Sequence, residues 1–317
     1  MRSLGDFLDS YLCLRRSLGA QMRDPEATLR RFVAFAKAEA ACVITTDLAL
    51  RFATDKANTS SATRAGRLGD VRRFAVFCSM TDSHTEIPPR GLFPERYRRC
   101  QPYIYSDDEI TRIINAAARL PSPSGMRAAT CAALFGLLAS TGLRLGEAIG
   151  LDRDDVDLGS GLLAIRRAKF GKSRLVPMHD TTTSALARYE RQRDQLLPRA
   201  TSPAFFFNER GRRLTQWNAR DSFALVSRAV GLRQPTKTRV GHGPRLHDMR
   251  HTLAARTLIG WYREGRDVER ELPRLSAYLG HVHVADTYWY LEAVPELLSL
   301  ASERTVRPPL PVQGVLP

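Results

Sequence analysis

Between residues 81 and 105 no helix or central strand can run unbroken. Pro88-Pro89, Pro94 and Pro102 each lack a backbone donor and bias the residue before them away from the helical region. The chain must therefore organise itself separately on either side of this stretch. Arg90, Arg96, Arg98 and Arg99 lie among the prolines. Two readings stand: a stiff, positively charged strap between two domains that close around a polyanion, or an ordinary surface loop. A length of 317 residues fits one large domain or two ordinary ones.

Before the break the periodicity is helical throughout. Leu4, Leu8, Tyr11 and Leu12 share one face. A second helix is expected to start at Asp24-Pro25-Glu26, with Asp24 as the cap, and to bury Leu29, Phe32, Val33 and Ala36. A third spans about Thr46–Lys56. A fourth opens at Thr59-Ser60-Ser61 with Leu68, Val71, Ala75 and Cys78 inward, and it carries Arg64, Arg67, Arg72 and Arg73 on its other faces. Those arginines read either as DNA contacts or as a solvated face.

After the break, Ser106 with Glu109 forms a capping box. Arg127–Ser140 is almost wholly apolar and predicts a buried helix, too short to span a bilayer. In residues 140–151 Gly142 and Gly146 are expected to turn the backbone around Arg144. Three short strand-like runs follow, Asp152–Asp157, Leu162–Arg166 and Arg174–Met178, with Phe205–Phe207 as a buried strand. Helices are expected over Thr181–Leu197, Leu214–Val230, about 247–262, about 267–279 and Pro295–Ser302. The fold class is thus mainly α with a small antiparallel sheet. The expected boundaries are 1–85 for a helical domain, 86–105 for the linker, 106–303 for an α+β domain and 304–317 for a Pro-rich tail.

The net charge of +15 narrows the partner. Residues 1–100 contribute +6 and residues 101–317 contribute +9, so the excess is not a basic tail. A polyanion touched by both halves explains this; so would a coding bias toward arginine, since lysine occurs only at 37, 56, 169, 172 and 237. The five cysteines form no C-x-x-C pair and read as small core residues in a reducing compartment. Met1–Asp6 meets acid before any apolar run, which argues against a signal peptide. A cytoplasmic protein is expected.

The candidates for chemistry are scattered. His247 and Arg250, in LHDMRHT, share a helix face. His281 follows Leu279-Gly280, and Tyr290 lies nine residues further on. A tyrosine hydroxyl, with an unperturbed pKa of ~10, attacks a phosphodiester only where a base or strong cations assist it. Arg144 reads as a phosphate ligand or as the ion-pair partner of Glu147. Lys169 and Lys172, on one predicted hairpin turn, read as mobile proton donors or as solvated residues. Tyr288, Trp289 and Tyr290 would also suit an aromatic core. His281 and His283 lack the further ligands a metal needs, and no H-E-x-x-H or Cys/His cluster occurs, so no metal site is expected.

The order of these elements is a composite pattern. Arg144, Glu147, the hairpin lysine, His247-x-x-Arg250, Leu279-Gly280-His281 and Tyr290 together resemble the tyrosine recombinase, or phage-integrase, family, in the layout of its shorter Xer-type members. The resemblance is carried by motifs over residues 106–300, and more loosely over 1–80 by the run SSATRAGRLGDVRRFAVF. It implies a four-helix core-binding (SAM-like) domain and a catalytic domain. It also implies roles: Arg144 and Arg250 clamp the scissile phosphate, Lys169 protonates the departing 5′ oxygen, His247 is general acid–base, His281 hydrogen-bonds the phosphate, and Tyr290 attacks to give a 3′-phosphotyrosyl link. Glu147 supports them. Lys169 is preferred over Lys172 as the proton donor because the family places its lysine first in the turn. Phe170 departs from the usual glycine-rich turn, and His283 is an extra imidazole.

The implied activity is site-specific recombination or integration, in a transposon or other mobile element or in chromosome or plasmid resolution. It needs no cofactor, because one phosphoester replaces another. The implied partners are double-stranded DNA, three further copies in a tetramer on two DNA sites, and accessory recombination proteins; the free chain would be a monomer or weak dimer. The segment Glu292–Ser302 would dock on a neighbouring subunit, or pack on its own as an ordinary helix. Two alternatives remain at this level: a type IB topoisomerase relaxing supercoils, and a DNA-binding regulator that does not cut.

Overall fold

The computed structural model describes residues 3–57, 59–93, 101–166, 173–234, 243–281, 283–293, 296–299 and 302. The chain divides into two compact units, Met1–Cys100 and Gln101–Pro317.

The first unit is four helices: α1 (Leu4–Ser17), α2 (Arg23–Ala38), α3 (Thr46–Thr54) and α4 (Ser61–Cys78). Side-chain oxygens of Ser3, Thr45 and Ser60 cap α1, α3 and α4, each accepting from a backbone N–H three residues on. The start of α2 differs from expectation. It begins at Arg23 after Met22, whose φ of 49° is left-handed, so Asp24 lies inside the first turn and does not cap it. There its charge still faces the positive end of the helix dipole. Phe32, Phe52, Phe74 and Tyr11 fill the core between the helices. Glu86 closes the unit: its carboxylate accepts from Thr46 N at 2.7 Å, and its own N–H donates to Ile44 O at 2.8 Å.

The second unit is mainly helical around a small sheet. Its elements are α5 (Asp107–Ala117), α6 (Met126–Thr141), α7 (Leu145–Gly150), β1 (Val156–Asp157), β2 (Leu162–Ile165), β3 (Arg174–Pro177), α8 (Asp180–Leu196), α9 (Gln216–Ala229), α10 (Leu246–Arg263), α11 (Val268–Leu279) and α12 (Ala285–Ala293). The strands run in the order β1-β2-β3, antiparallel throughout, with Leu163 opposite Val156 and Val176. Leu163 and Ile165 point into the core, while their neighbours are half-exposed. Helix α6 is buried along most of its length, as its composition requires.

Several local expectations give way to tertiary context. Half of Asp152–Asp157 is a 3-10 turn (Arg153–Asp155), held by Asp152 N donating to the Asp155 carboxylate at 3.0 Å, and only Val156–Asp157 is strand. Phe205–Phe207 is completely buried, but it pairs only through single bridges, Asp152 with Ala204 and Phe207 with Arg213. Arg193 explains that burial. It is fully enclosed, donates to Phe205 O at 3.0 Å, and lies over the rings of Phe205 and Phe207. Gly146 lies within α7, packed toward Gln216, and only Gly142 makes the turn. Helix α12, which carries Tyr290, has no counterpart among the predicted helices.

Around α10, α11 and α12 a separate cluster forms from Ala254, Ala255, Leu258, Leu272, Leu275, Leu279 and Tyr290. Leu297 is buried in the same cluster, and Arg263 donates to the Glu296 carboxylate at 2.7 Å. The described part of the terminal segment therefore packs on its own chain. No helix among the described residues is long and apolar enough to cross a membrane.

Candidate active site

The ends of two helices build the site. Helix α6 stops at Gly142 (φ 62°) and α11 at Gly280 (φ 71°), both left-handed. A side chain at either position would be strained by that φ. It would also lack room: a Cβ at Gly142 would lie 2.8 Å from Leu253 Cδ2, and one at Gly280 would lie 2.6 Å from Arg174. The turns aim free carbonyls into one space, where two guanidinium groups collect them. Arg250 donates to Gly142 O at 2.9 Å and to Leu279 O at 2.7 Å. Arg144 donates to Gly280 O at 3.1 and 3.2 Å. Carbonyls at helix C-termini carry partial negative charge, so cations are stable there. Burial disfavours the Arg250 charge more than the nearby Tyr290 and Glu147 favour it, which holds the guanidinium below the usual arginine range, while the two carbonyls satisfy its N–H groups.

The histidines and the tyrosine stack around Arg250. His247 and His251, four residues apart on α10, meet edge-on with ring centroids 4.7 Å apart. His251 then touches Tyr290 at 5.3 Å and Trp289 at 4.9 Å. His281 stacks on Tyr290 at 6.0 Å. Its backbone N–H donates to Ser276 O at 2.9 Å in the turn that ends α11, and its Nδ1 bonds the buried hydroxyl of Thr287 at 2.7 Å. Tyr290 is 3% exposed, whereas Tyr288 is 46% exposed.

The structure thus draws together Arg144, Glu147, His247, Arg250, His281 and Tyr290. His247 and Arg144 also line a cavity of about 450 Å³ with Arg220, Arg233 and Arg245. Lys169 and Lys172 lie outside the described residues. His283 is exposed. In the first unit, α4 carries Arg64, which donates to Ala57 O at 3.0 Å, and Arg73, which pairs with Asp70. Arg67 and Arg72 are half-buried on the same helix. Among the described residues no group of three or more His, Cys, Asp or Glu could hold a metal.

Two contributors carried no assignment from sequence. Thr287 orients His281, and it lies six residues after it, inside the His281–Tyr290 spacing that drew attention to the motif. Arg174, in the run RLVPM, donates to both oxygens of Glu147 at 3.2 and 2.9 Å. Its only signal was proximity to the hairpin lysines.

All three site imidazoles resist protonation. Burial first, then the Arg250 and Arg144 charges, pushes His281 down to about 4. Burial and then His247 push His251 down to about 3. Burial and Arg250 hold His247 below the usual histidine range. Glu147 stays ionised although burial opposes its charge, because Arg174 and Arg144 together outweigh that cost.

A pH dependence follows. Unfolded histidines take up protons near ~6.5, while these native ones wait until well below that. Between those values the unfolded state binds more protons, so stability must fall as pH falls. The melting temperature is expected to be flat from pH 8 to 7 and to drop by several degrees as pH is lowered toward 4.5. His251→Gln should flatten part of that drop. A pH-independent melting curve across this window would contradict the buried neutral imidazoles.

Residues 104–296 match the family model described as Phage integrase family. The chain belongs to the phage integrase family. With membership comes the activity: it is a site-specific DNA recombinase of the tyrosine type. This phage-integrase member is 45% identical to "Putative integrase/recombinase y4rB" of Sinorhizobium fredii, over 97% of this chain and 98% of that one. It is 27% identical to "Tyrosine recombinase XerD" of Bifidobacterium longum, over 78% of this chain and 76% of that one. Its fold is that of XerH bound to a palindromic difH substrate (TM-score 0.65, 18% identity, 96% of this chain and 85% of that one). The Tn1549 transposon integrase in complex with transposon right-end DNA also shares it (TM-score 0.63, 13% identity, 95% and 99%). These matches do not favour the topoisomerase and regulator readings.

Proposed function

We propose that this recombinase binds double-stranded DNA as a tetramer across two sites and exchanges strands through a 3′-phosphotyrosyl link on Tyr290. Arg144 and Arg250 take the non-bridging oxygens of the scissile phosphate. The phenolic oxygen of Tyr290 bonds to phosphorus, and its proton passes to His247, whose imidazole burial and Arg250 keep unprotonated beforehand; the phosphate's negative charge then favours the imidazolium that forms. The bond to the 5′ oxygen breaks, and Lys169 supplies the proton that oxygen needs. His281 Nδ1 shares a hydrogen bond with the Thr287 hydroxyl, and in the tautomer where Thr287 donates, Nε2–H is left to donate to the phosphate. The 5′ hydroxyl of a second strand then attacks the phosphotyrosyl phosphorus, and the first sequence of transfers runs in reverse. Each step exchanges one phosphoester for another, so no ATP is consumed.

The observation that carries this reading is the placement of Tyr290 against His281 and His251, the latter next in sequence to an arginine fixed by two helix ends. In the same reading, the helical unit grips the duplex through Arg64, Arg67, Arg72 and Arg73, the segment around 86–105 straps it to the catalytic unit, and Lys172 adds a phosphate contact. The chain works in the cytoplasm on a mobile element, with or without accessory recombination proteins.

The test is a nicked-duplex library with a randomised core, incubated with the protein and recovered as SDS-stable adduct. One inverted-repeat sequence should be enriched over the pool. Relaxation of any supercoiled plasmid, with no sequence enriched in the adduct, would overturn site-specific exchange in favour of a topoisomerase.

A further inference from the structure

One charged side chain stands at the junction of the sheet and the site. Arg174 opens β3 (Arg174–Pro177). Its side chain is 13% exposed. Nε donates to Tyr278 O at 3.0 Å, NH1 and NH2 grip the two oxygens of Glu147, and the guanidinium lies flat against Gly280. Glu147, 8% exposed, also accepts from Arg144 NH1 at 2.9 Å. One carboxylate therefore sits between two guanidinium groups, and the trio carries a net charge of +1.

Without Arg174 that sum would be zero. An ionised Glu147 would then hold the Arg144 guanidinium as a closed pair, and a phosphodiester would have to compete with a buried carboxylate for it. With Arg174 in place, the carboxylate orients Arg144 while its charge is met from the other side. The same guanidinium fixes the strand that leaves the hairpin and the turn that presents His281.

We propose that Arg174 is a positioning residue for strand cleavage: it neutralises Glu147 so that the charge of Arg144 remains available to the scissile phosphate. This rests on the role of Arg144 given above.

The test measures single-turnover adduct formation on the enriched nicked duplex, with DNA affinity and melting temperature recorded for each variant. Arg174→Gln should slow cleavage roughly a hundredfold, in the range seen when one preorganised cationic or hydrogen-bonding group is lost. Its affinity for the whole duplex should change little, because many other contacts hold the DNA. Glu147→Gln removes the carboxylate charge but keeps an oxygen acceptor for Arg144, and should slow cleavage about fivefold. In the double variant Arg174→Gln/Glu147→Gln, the rate should recover toward that of Glu147→Gln, a coupling that loss of packing would not produce. A double variant as slow as Arg174→Gln or slower, or Arg174→Gln at the wild-type rate, would overturn the proposal. If Arg174→Gln does not fold, Arg174→Lys carries the test: it keeps the charge and loses the fork, and should cost only about threefold in rate. A folded Arg174→Lys protein as defective as Arg144→Ala would overturn charge neutralisation. If the wild-type protein itself formed no adduct, the tyrosine mechanism would fall, which is a separate outcome.

Discussion

Tyr290→Phe is expected to form no SDS-stable adduct with the enriched duplex while still binding it. The substitution removes one oxygen and leaves the ring. The ring's contacts with His281, His251 and Trp289 survive, so the pocket stays filled. Stability should therefore change little, by about 1 kcal/mol or less. Adduct formation, in contrast, loses its nucleophile, and a fall on the order of 10³-fold or more should take it to background. Denaturing gels report the adduct, and fluorescence anisotropy reports the binding. An adduct persisting in Tyr290→Phe would move the nucleophile elsewhere, with the exposed Tyr288 the first to examine.

Arg250→Ala should give the second largest loss, in both cleavage and folding. Arg250 is 2% exposed and satisfies Gly142 O and Leu279 O. Removing it leaves two carbonyls without their donor at the ends of α6 and α11, which should lower stability by about 3 kcal/mol. Arg144 is a useful contrast. Its side chain is 31% exposed, and its one carbonyl partner is Gly280 O. Arg144→Ala should therefore fold nearly as well as wild type and still lose roughly 10²–10³-fold in cleavage, the usual consequence of removing a preorganised group that meets developing charge. Urea unfolding and single-turnover cleavage separate the two effects. Wild-type cleavage by Arg144→Ala would refute the phosphate clamp.

Much of this site was legible because its chemistry demands particular residue types. Arg144, His247, Arg250, His281 and Tyr290 stood out by type and order, and Gly142 and Gly280 by the turns they permit. The helical faces of the first unit were equally legible, since apolar spacing alone determines which side of each helix is buried. Less could be read where a residue serves several elements at once. Arg174 looked like one more arginine among many, because its partners lie 27 and 104 residues away in sequence. Asp152–Asp155 carries strand-like spacing, yet a side-chain carboxylate curls it into a turn. Helix α12 begins after His281-Val282-His283 without a capping box, and Thr287 packs inward to meet His281.

The amino-acid order alone determined the class of the fold, the proline-rich stretch that no helix can cross and the residue types available for reaction. These depend on local periodicity, on proline and glycine stereochemistry and on charge, which neighbouring positions fix among themselves. Only tertiary structure decided which charges face each other. The ends of α6 and α11 converge, and this places the Arg144, Arg250 and Arg174 guanidinium groups around one carboxylate and four carbonyls. A charge's effect depends on its distance from other charges and from water, and packing sets both.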